Sequence, residues 1–188
     1  MPALLLAQGK GDWVRMKDGK ILELVKRAGD RAQIVGEDGK KQIIGWDQVD
    51  GVLRARDARL EVDKIVRGLR EKDQHDAMAS RLKKLGPAAV PELVKRYGVT
   101  SSAFDRAVIM ACFQHAWSGR ARPLVVKGLS DPDPDIRRFA RSVADLHFSR
   151  DDKNTAYRDL KNHTDPGIAG PGLYEELRRR PTQRVFRP

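Results

Sequence analysis

Residues 131–137, DPDPDIR, place acidic side chains at alternate positions and are the stretch that most suggests metal chemistry. Alternating carboxylates bind calcium in twelve-residue loops, where a glycine at the sixth position makes a sharp turn and a glutamate at the twelfth binds the ion through both oxygens. Here the sixth position is Ile136 and the twelfth is Ser142. Asp131, Asp133 or Asp135 is instead suited to cap the helix that follows, because a side-chain oxygen there accepts from an amide without an intrahelical partner.

The remaining chemically versatile residues lack the spacing of a site. The four histidines do not have metal-ligand spacing, and they are His75, His115, His147 and His163. The single cysteine, Cys112, lies in the apolar stretch VIMACF, which predicts a buried thiol rather than a nucleophile. The chain contains no Ser/His/Asp set, phosphate-binding glycine loop or metalloprotease motif. We therefore expect no catalytic, cofactor-binding or metal-binding residue and no enzymatic activity.

The charge of the chain favours an acidic partner. Its 188 residues carry 37 Lys and Arg against 26 Asp and Glu, a net charge of +11. Residues 1–60 hold 12 basic and 9 acidic side chains, so residues 61–188 hold the other 25 and 17, a net charge of +8. Nucleic acid, an anionic membrane surface and an acidic protein all match this sign. No apolar run approaches the roughly 20 residues of a membrane span.

Residues 12–56 have the pattern of short strands separated by tight turns. The runs DWVRM, KILELVKR, RAQIVG and KKQIIGW are followed by GVLRA, and the dipeptides at 18–19, 29–30 and 38–39 each pair glycine with aspartate. Such dipeptides between alternating runs predict hairpins, because glycine adopts positive φ without steric cost. Five short strands in this space predict a small β-barrel that closes on itself.

With Trp13, the KDGK turn and VKRAGDRAQIVGEDGKKQIIGWDQV, this segment resembles the small SH3-type module of adaptor proteins, or a Tudor-like barrel. Peptide-binding SH3 domains dock proline-rich ligands in a groove lined by aromatic residues. The segment has only Trp13 and Trp46, with no Tyr or Phe. We therefore expect both tryptophans to pack in the core or at its rim.

Beyond residue 74 the sequence repeats with a period of 32. AVPELVK at 89–95 aligns with ARPLVVK at 121–127, and DPDI at 133–136 aligns with DPGI at 165–168. The residue pattern of each unit predicts a helix, a short turn, a second helix and a brief loop. The second helix of the copy beginning at residue 121 has a predicted core stripe of Ile136, Phe139, Ala140, Val143 and Leu146.

The preceding copy differs at the start of its second helix. Phe104 takes the place of Ile136, and Ser102 with Asp105 has the spacing of a capping box. In the following copy GIAGPGLYEEL interrupts the second helix at residues 170–172, which indicates a terminal cap or a shortened unit.

LGPAAVPELV and ARPLVVKGLSDPDPDIRRFARSVADL resemble HEAT-type helical repeats of the short bacterial kind associated with phycobilisome-lyase-like proteins. The resemblance covers about residues 74–178 and implies an α-solenoid, in which stacked units bury a shared core. It also implies that Asp131 and Arg137 pair between neighbouring copies. The residues that carry the repeat are Pro91, Pro123, Asp131, Arg137 and Ala140.

These observations predict an α+β chain of two domains, a small all-β SH3-like barrel followed by an all-α HEAT-like solenoid. Residues 1–11 are assigned to a flexible N-terminus, 12–56 to the barrel, 57–73 to a linker helix, 74–180 to the repeats and 181–188 to a basic tail. The linker helix has a predicted apolar stripe of Leu60, Val62, Ile65, Val66 and Leu69.

The leading functional expectation is a non-catalytic scaffold that binds a protein partner through the solenoid. The alternative is a nucleic-acid-associated protein that binds the phosphate backbone through a basic solenoid face and the arginine-rich tail. The candidate residues for either partner are Lys95, Lys127, Arg137, Arg138, Arg141, Arg178, Arg179, Arg180 and Arg184.

A further basic set repeats every 32 residues, and it comprises Lys83, His115, His147 and Arg179. Cations at the ends of successive helices are stabilised by the helix dipole, and such a row could also follow a phosphate backbone. The sequence leaves both interpretations open, and it does not predict an oligomeric state.

The sequence also leaves the cellular compartment of the protein undecided. The start of the chain, MPALLLAQGKG, is too short and lacks the basic leader of a signal peptide. A cytoplasmic protein is favoured for the sequence as numbered, and a secreted or periplasmic one if an upstream signal sequence is missing.

Overall fold

The computed structural model describes residues 11–36 and 39–161, and it consists of a β part followed by an α part. The strands are β1 (Trp13–Met16), β2 (Ile21–Ala28), β3 (Arg31–Val35), β4 (Lys41–Gly45) and β5 (Val49–Leu53). The helices are α1 (Ala55–Gly68), α2 (His75–Leu85), α3 (Val90–Val99), α4 (Ala103–Cys112), α5 (Arg122–Leu129), α6 (Pro134–His147) and α7 (Arg150–Lys161). Short 3-10 turns occupy Trp46–Gln48, Lys72–Gln74, Gly86–Ala89 and Gly119–Ala121. The predicted α+β organisation in two parts is confirmed.

All five predicted strands form one antiparallel sheet, in the order β4-β3-β2-β1-β5. The predicted turns are confirmed at Gly19, Gly29 and Gly39, whose φ angles of 86°, 58° and 78° lie in the region that glycine tolerates best.

The prediction that the sheet closes into a barrel is wrong. Among the residues that the structure describes, β4 pairs with β3 alone and β5 with β1 alone, so these two strands form opposite edges. The sheet surrounds a small core of Val14, Met16, Ala32 and Ile34.

The two tryptophans of the sheet pack as expected. Trp13 is buried, and Trp46 is partly buried beneath the Arg27 guanidinium, which lies 4.6 Å from the centre of its ring.

The helices pack in pairs that follow the order of the chain: α1 with α2, α3 with α4 and α5 with α6, while α4 also packs on α6. One continuous apolar core extends through them from Val62 to Ala156. None of the helices described for residues 11–161 has the length and apolarity needed to cross a bilayer.

Small residues lie where α5 packs closely on its neighbours. A Cβ placed on Gly128 would lie 2.6 Å from the methyl group of Met110 and 3.0 Å from the Cβ of Ala140. A larger residue at position 128 would therefore displace the end of the Met110 side chain and crowd Ala140.

The helix predicted as a linker over residues 57–73 is α1, and it belongs to the helical core. Val62, Ile65, Val66 and Leu69 of its predicted stripe are buried. Leu60 is 48% exposed, so its assignment to the stripe is wrong. Leu60 lies two residues before Val62 and therefore about 200° away around the helix, on the side opposite the buried stripe.

Two further core predictions are wrong for reasons of helix geometry. Leu146 is exposed because α6 ends at His147, and Phe148 turns back to cover the core instead. Phe104 is 61% exposed, whereas Ile136 is fully buried. Counted from the N-caps Ser102 and Asp133, which are 31 residues apart, Phe104 corresponds to the exposed Asp135 rather than to Ile136.

The sheet joins the helices through a small apolar contact of Trp13 with Ala58 and Ala88. At its edge the Asp12 carboxylate accepts from the Ala55 amide at 3.0 Å, at the start of α1. This junction positions the sheet against the first turn of α1 and the 3-10 turn that precedes α3.

Candidate interaction surface

The first helix of each pair exposes and buries side chains in the same order. Residues 58–66 in α1 and 121–129 around α5 have the same sequence of buried, half-buried and exposed positions. Residues 89–97 around α3 differ from them only at Val90 and Arg96. α1 is therefore equivalent to α3 and α5, and the array of helix pairs begins at α1.

This equivalence has a sequence signal that a search at a period of 32 does not find. ARLEVDK at 58–64 aligns with AVPELVK at 89–95 at an offset of 31, and it shares the alanine, the glutamate four positions into the segment and the final lysine. The first unit is one residue shorter than the second, so the offset is 31 instead of 32. The position of α1 in the array is nevertheless equivalent to that of α3 and α5.

A lysine occupies the same exposed position in all three helices, and a second exposed position one helical turn earlier is apolar. We call these six residues the lysine–apolar face, and they are Lys64, Lys95, Lys127, Leu60, Pro91 and Pro123. Pro91 and Pro123 lie in the first turn of α3 and of α5, where proline loses no intrahelical bond. None of the three lysines forms an ion pair within residues 11–36 and 39–161.

The acidic side chains near this face are neutralised by arginines instead. Glu61 accepts from Arg81 of α2 at 2.6 Å, and Asp63 pairs with Arg96 of α3. Arg96 also donates to Glu92, at 3.2 Å. Because these carboxylates are committed to arginines, the lysines keep their positive charge uncompensated.

The three arginines of α6 that the sequence assigns to partner binding differ in their exposure and in their contacts. Arg138 is exposed, with its guanidinium paired to Asp135 at 2.8 Å. Arg137 donates to the backbone carbonyls of Asp131 and Pro132, at 2.8 and 2.7 Å, and so clamps the loop that precedes α6. Arg141 is only 7% exposed, because its position on α6 faces the core, so its assignment to a contact surface is wrong.

The expected pairing of the Asp131 and Arg137 side chains does not occur. The Asp131 carboxylate accepts from the Asp133 amide at 3.0 Å and from the Tyr97 hydroxyl of the preceding copy at 3.5 Å. Burial, followed by the charge of Asp131, raises the pKa of Tyr97 to about 12. Asp131 thus links neighbouring copies, but through a tyrosine.

The predicted contact residues Arg178, Arg179, Arg180 and Arg184, with the tail at 181–188, lie outside the described residues. The same holds for the N-terminus at 1–10, for His163 and for the interrupted helix at 170–172.

Lys83, His115 and His147 of the predicted basic column lie near one another. Burial, then the charges of Lys83 and His147, lower the pKa of His115. Burial also lowers the pKa of His147, whose ring stacks on Trp117 with centroids 4.7 Å apart. Both imidazoles are therefore neutral at pH 7, and they add no positive charge to this edge.

Cys112 is buried as predicted, and burial raises the pKa of its thiol to about 12. In the described part of the chain no three His, Cys, Asp or Glu residues are grouped as metal ligands. Of the three candidate caps, Asp133 is the one that caps α6, with amides of Asp135 and Ile136 donating to it.

A cleft of about 890 Å³ lies between the sheet and the helices. Ser118, Arg120 and Arg122, which lead into α5, are grouped on the helical side, and Arg120 donates to Glu23 of β2 at 2.6 Å. The apolar lining residues are Trp13, Ile21, Leu22, Val35, Pro87 and Trp117. Sequence reasoning did not find this cleft, because it is formed by residues as far apart as Glu23 and Arg120.

Comparison of this chain with protein-family models, with curated proteins and with solved structures finds no match.

Proposed function

We propose that this chain is a non-catalytic protein-binding module, in which an SH3-like sheet precedes a short HEAT-like array and the lysine–apolar face binds an acidic protein surface. The observation that carries the proposal is the exposed lysine at the same position of α1, α3 and α5. α1 contacts α3, and α3 contacts the 3-10 turn that leads into α5, so the three lysines belong to successive neighbouring elements of the array.

The rigidity of the helical array supports a binding role. The continuous apolar core fixes the three helices relative to one another. A surface that is already ordered loses little conformational entropy on binding, which favours affinity for an extended partner.

The apolar half of the face favours a protein partner over nucleic acid. Leu60, Pro91 and Pro123 are exposed one turn before each lysine. Apolar side chains do not contribute to the binding of phosphate groups. Stacking of unpaired bases needs exposed aromatic rings, and Tyr97, the single aromatic residue of the three aligned segments, is buried. Apolar contacts flanked by charges are typical of a protein interface.

A charge-reversal experiment tests the proposal. Wild-type protein and the triple variant Lys64→Glu/Lys95→Glu/Lys127→Glu are used to capture partners, and each captured protein is then purified and titrated directly. We expect the triple variant to bind the acidic partner roughly tenfold more weakly or worse, since each exposed ion pair contributes about 0.2–1 kcal/mol.

The matched control is Lys26→Glu/Lys41→Glu/Lys84→Glu, which has the same net charge but changes exposed lysines elsewhere. It should retain the affinity of the wild type. Equal loss in both triple variants would show that total charge, and not this face, determines binding.

Duplex nucleic acid is the second candidate, and the net charge of +11 with periodic lysines favours it. Counterion release predicts that the logarithm of the affinity falls by about 0.9 per phosphate contact for each unit of log salt. Anisotropy titrations with a mixed-sequence duplex should then give a slope that is shallower by about 3 in the triple lysine variant. Binding with no dependence on salt or on these lysines removes this candidate.

A further inference from the structure

The cleft between the sheet and the helices has the composition of a ligand site. It adjoins the lysine–apolar face, because Trp13, Glu23 and Arg120 also line a second pocket with Pro91 and Lys95. Its volume of about 890 Å³ lies within the usual range for small-molecule sites, which are mostly apolar, carry a few polar groups and often form where two parts of a chain meet. Trp13 belongs to the sheet side and Trp117 to the helical side.

The charge of the cleft favours an anion. Arg120 and Arg122 are half-exposed there, and Glu23 is the one acidic residue among the described lining residues. Arg120 uses one terminal nitrogen for Glu23, and Arg122 uses one for Asp152, at 2.9 Å. A guanidinium has five N–H donors in a fork that suits carboxylate, so both arginines retain donors for a ligand.

A hydroxyl beside the arginines also lacks a partner. The Oγ of Ser118 is buried and makes no hydrogen bond in the described structure, although Ser118 lines the cleft. A buried hydroxyl without a partner is costly, and a ligand oxygen at this position would remove that cost. The first turn of α5 contains no acidic residue that would repel such a ligand.

We propose that this cleft binds a small amphiphilic carboxylate. Its apolar body lies between Trp13 and Trp117, and its carboxylate accepts from Arg122, Arg120 and Ser118. Glu23 competes with the ligand for Arg120.

The three tryptophans provide an internal test by NMR of the full-length protein labelled with ¹⁵N. Decanoate, below its micelle-forming concentration, should shift the indole signals of Trp13 and Trp117 in a saturable manner. The signal of Trp46, which does not line the cleft, should stay in place. Decylammonium, with the same chain and the opposite charge, should cause no saturable shift.

Paired variants separate recognition of the carboxylate from damage to the fold. Glu23→Gln frees Arg120 and should tighten decanoate binding roughly threefold, while Arg122→Gln should weaken it by about the same factor. Asp152→Asn breaks the same ion pair as Arg122→Gln but keeps the cation, so it should not weaken binding.

Any of four results would overturn the proposal. They are equal shifts at all three indoles, equal binding of decylammonium, weaker decanoate binding by Glu23→Gln, and absence of any saturable shift with decanoate. The double variant Lys64→Glu/Lys127→Glu leaves Lys95, which lines a pocket with Arg120, unchanged. It should weaken protein binding and still bind decanoate like the wild type, so the two proposals can fail separately.

Discussion

In the pair α3–α4 the second helix begins at Ser102, whose hydroxyl accepts from the Asp105 amide at 3.2 Å. In the pair α5–α6 the second helix begins at Asp133, whose carboxylate accepts from Asp135 and Ile136 at 2.9 and 3.2 Å. The buried positions show no such variation, because residues 109–113 and 140–144, which are 31 residues apart like the N-caps, are buried throughout. Packing thus fixes which positions of the second helix are buried, even where Arg141 and Ser142 occupy them, whereas different polar residues can start the helix.

Polar contacts also tie each pair to the helices before it, with different chemistry each time. The Asp105 carboxylate of α4 accepts twice from Arg70, which follows α1, at 2.8 and 2.9 Å. Asp131, in the loop before α6, accepts from Tyr97 inside α3. The two connections therefore differ both in their residues and in their positions along the helix pairs.

The largest expected difference between the two pairs lies at Ile136 and Phe104, which are 32 residues apart. Ile136→Ala should lower the free energy of unfolding by about 2–5 kcal/mol, because it opens a cavity in the core. Phe104→Ala should change it by less than about 0.5 kcal/mol, as expected for an exposed side chain. Urea denaturation followed by circular dichroism measures both.

Ala140→Gly is a control for how strongly any buried change in α6 lowers the free energy of unfolding. It removes one buried methyl group without opening a large cavity. Comparable destabilisation by Phe104→Ala and Ile136→Ala would contradict the register given by the N-caps, and would place Phe104 in the core as the 32-residue alignment suggests.

The sequence predicted those features that depend on neighbouring residues. Dipeptides of glycine and aspartate between alternating runs separated β1 to β4, and the run GVLRA after a polar turn identified β5. Apolar spacing identified the paired helices. Closure of the sheet depends on contact between β4 and β5, which no local pattern encodes. The choice of Asp133 among three candidate caps depends on its extended backbone, with φ −76° and ψ 123°.

The candidate surface was only partly predictable for the same reason. Lys95 and Lys127 were found at the 32-residue period, but Lys64 lies 31 residues before Lys95 and was missed. Arg141 was assigned to the surface because its charge suggests exposure, although its helical position places it in the core. The cleft depends on contacts across the chain, so neither Arg120 nor Ser118 carried a signal.

A smaller effect is expected at the helix caps. Ser102→Ala and Asp133→Ala should each lower the free energy of unfolding by about 1 kcal/mol, since each leaves helix amides without an acceptor. Asp133→Ser should recover most of the loss, because a hydroxyl can replace the carboxylate, as it does at position 102.

Chemical denaturation of the three variants at pH 7 measures these differences. If Asp133→Ser were as unstable as Asp133→Ala, the two caps would not be interchangeable, and the carboxylate would have a role beyond accepting from the first-turn amides.

The smallest expected difference concerns pH and the equivalent residues His115 and His147. Burial lowers the pKa of both in the folded protein, so below pH 6.5 the unfolded chain binds more protons than the folded one. Their contribution to the free energy of unfolding is therefore complete above about pH 6.5 and declines as the pH falls from there through the folded-state pKa. His147→Gln should lose less stability than the wild type between pH 7 and pH 5.

Urea midpoints of the wild type and His147→Gln at the two pH values measure this difference, and the carboxylates common to both proteins cancel in the comparison. His115→Gln should behave in the same direction, because burial is the largest cause of the pKa shift at both positions. An equal loss of stability in all three proteins would contradict the lowered pKa values. If only one of the two substitutions reduced the loss of stability between pH 7 and pH 5, the two histidines would differ in burial, just as α4 and α6 differ in their N-caps.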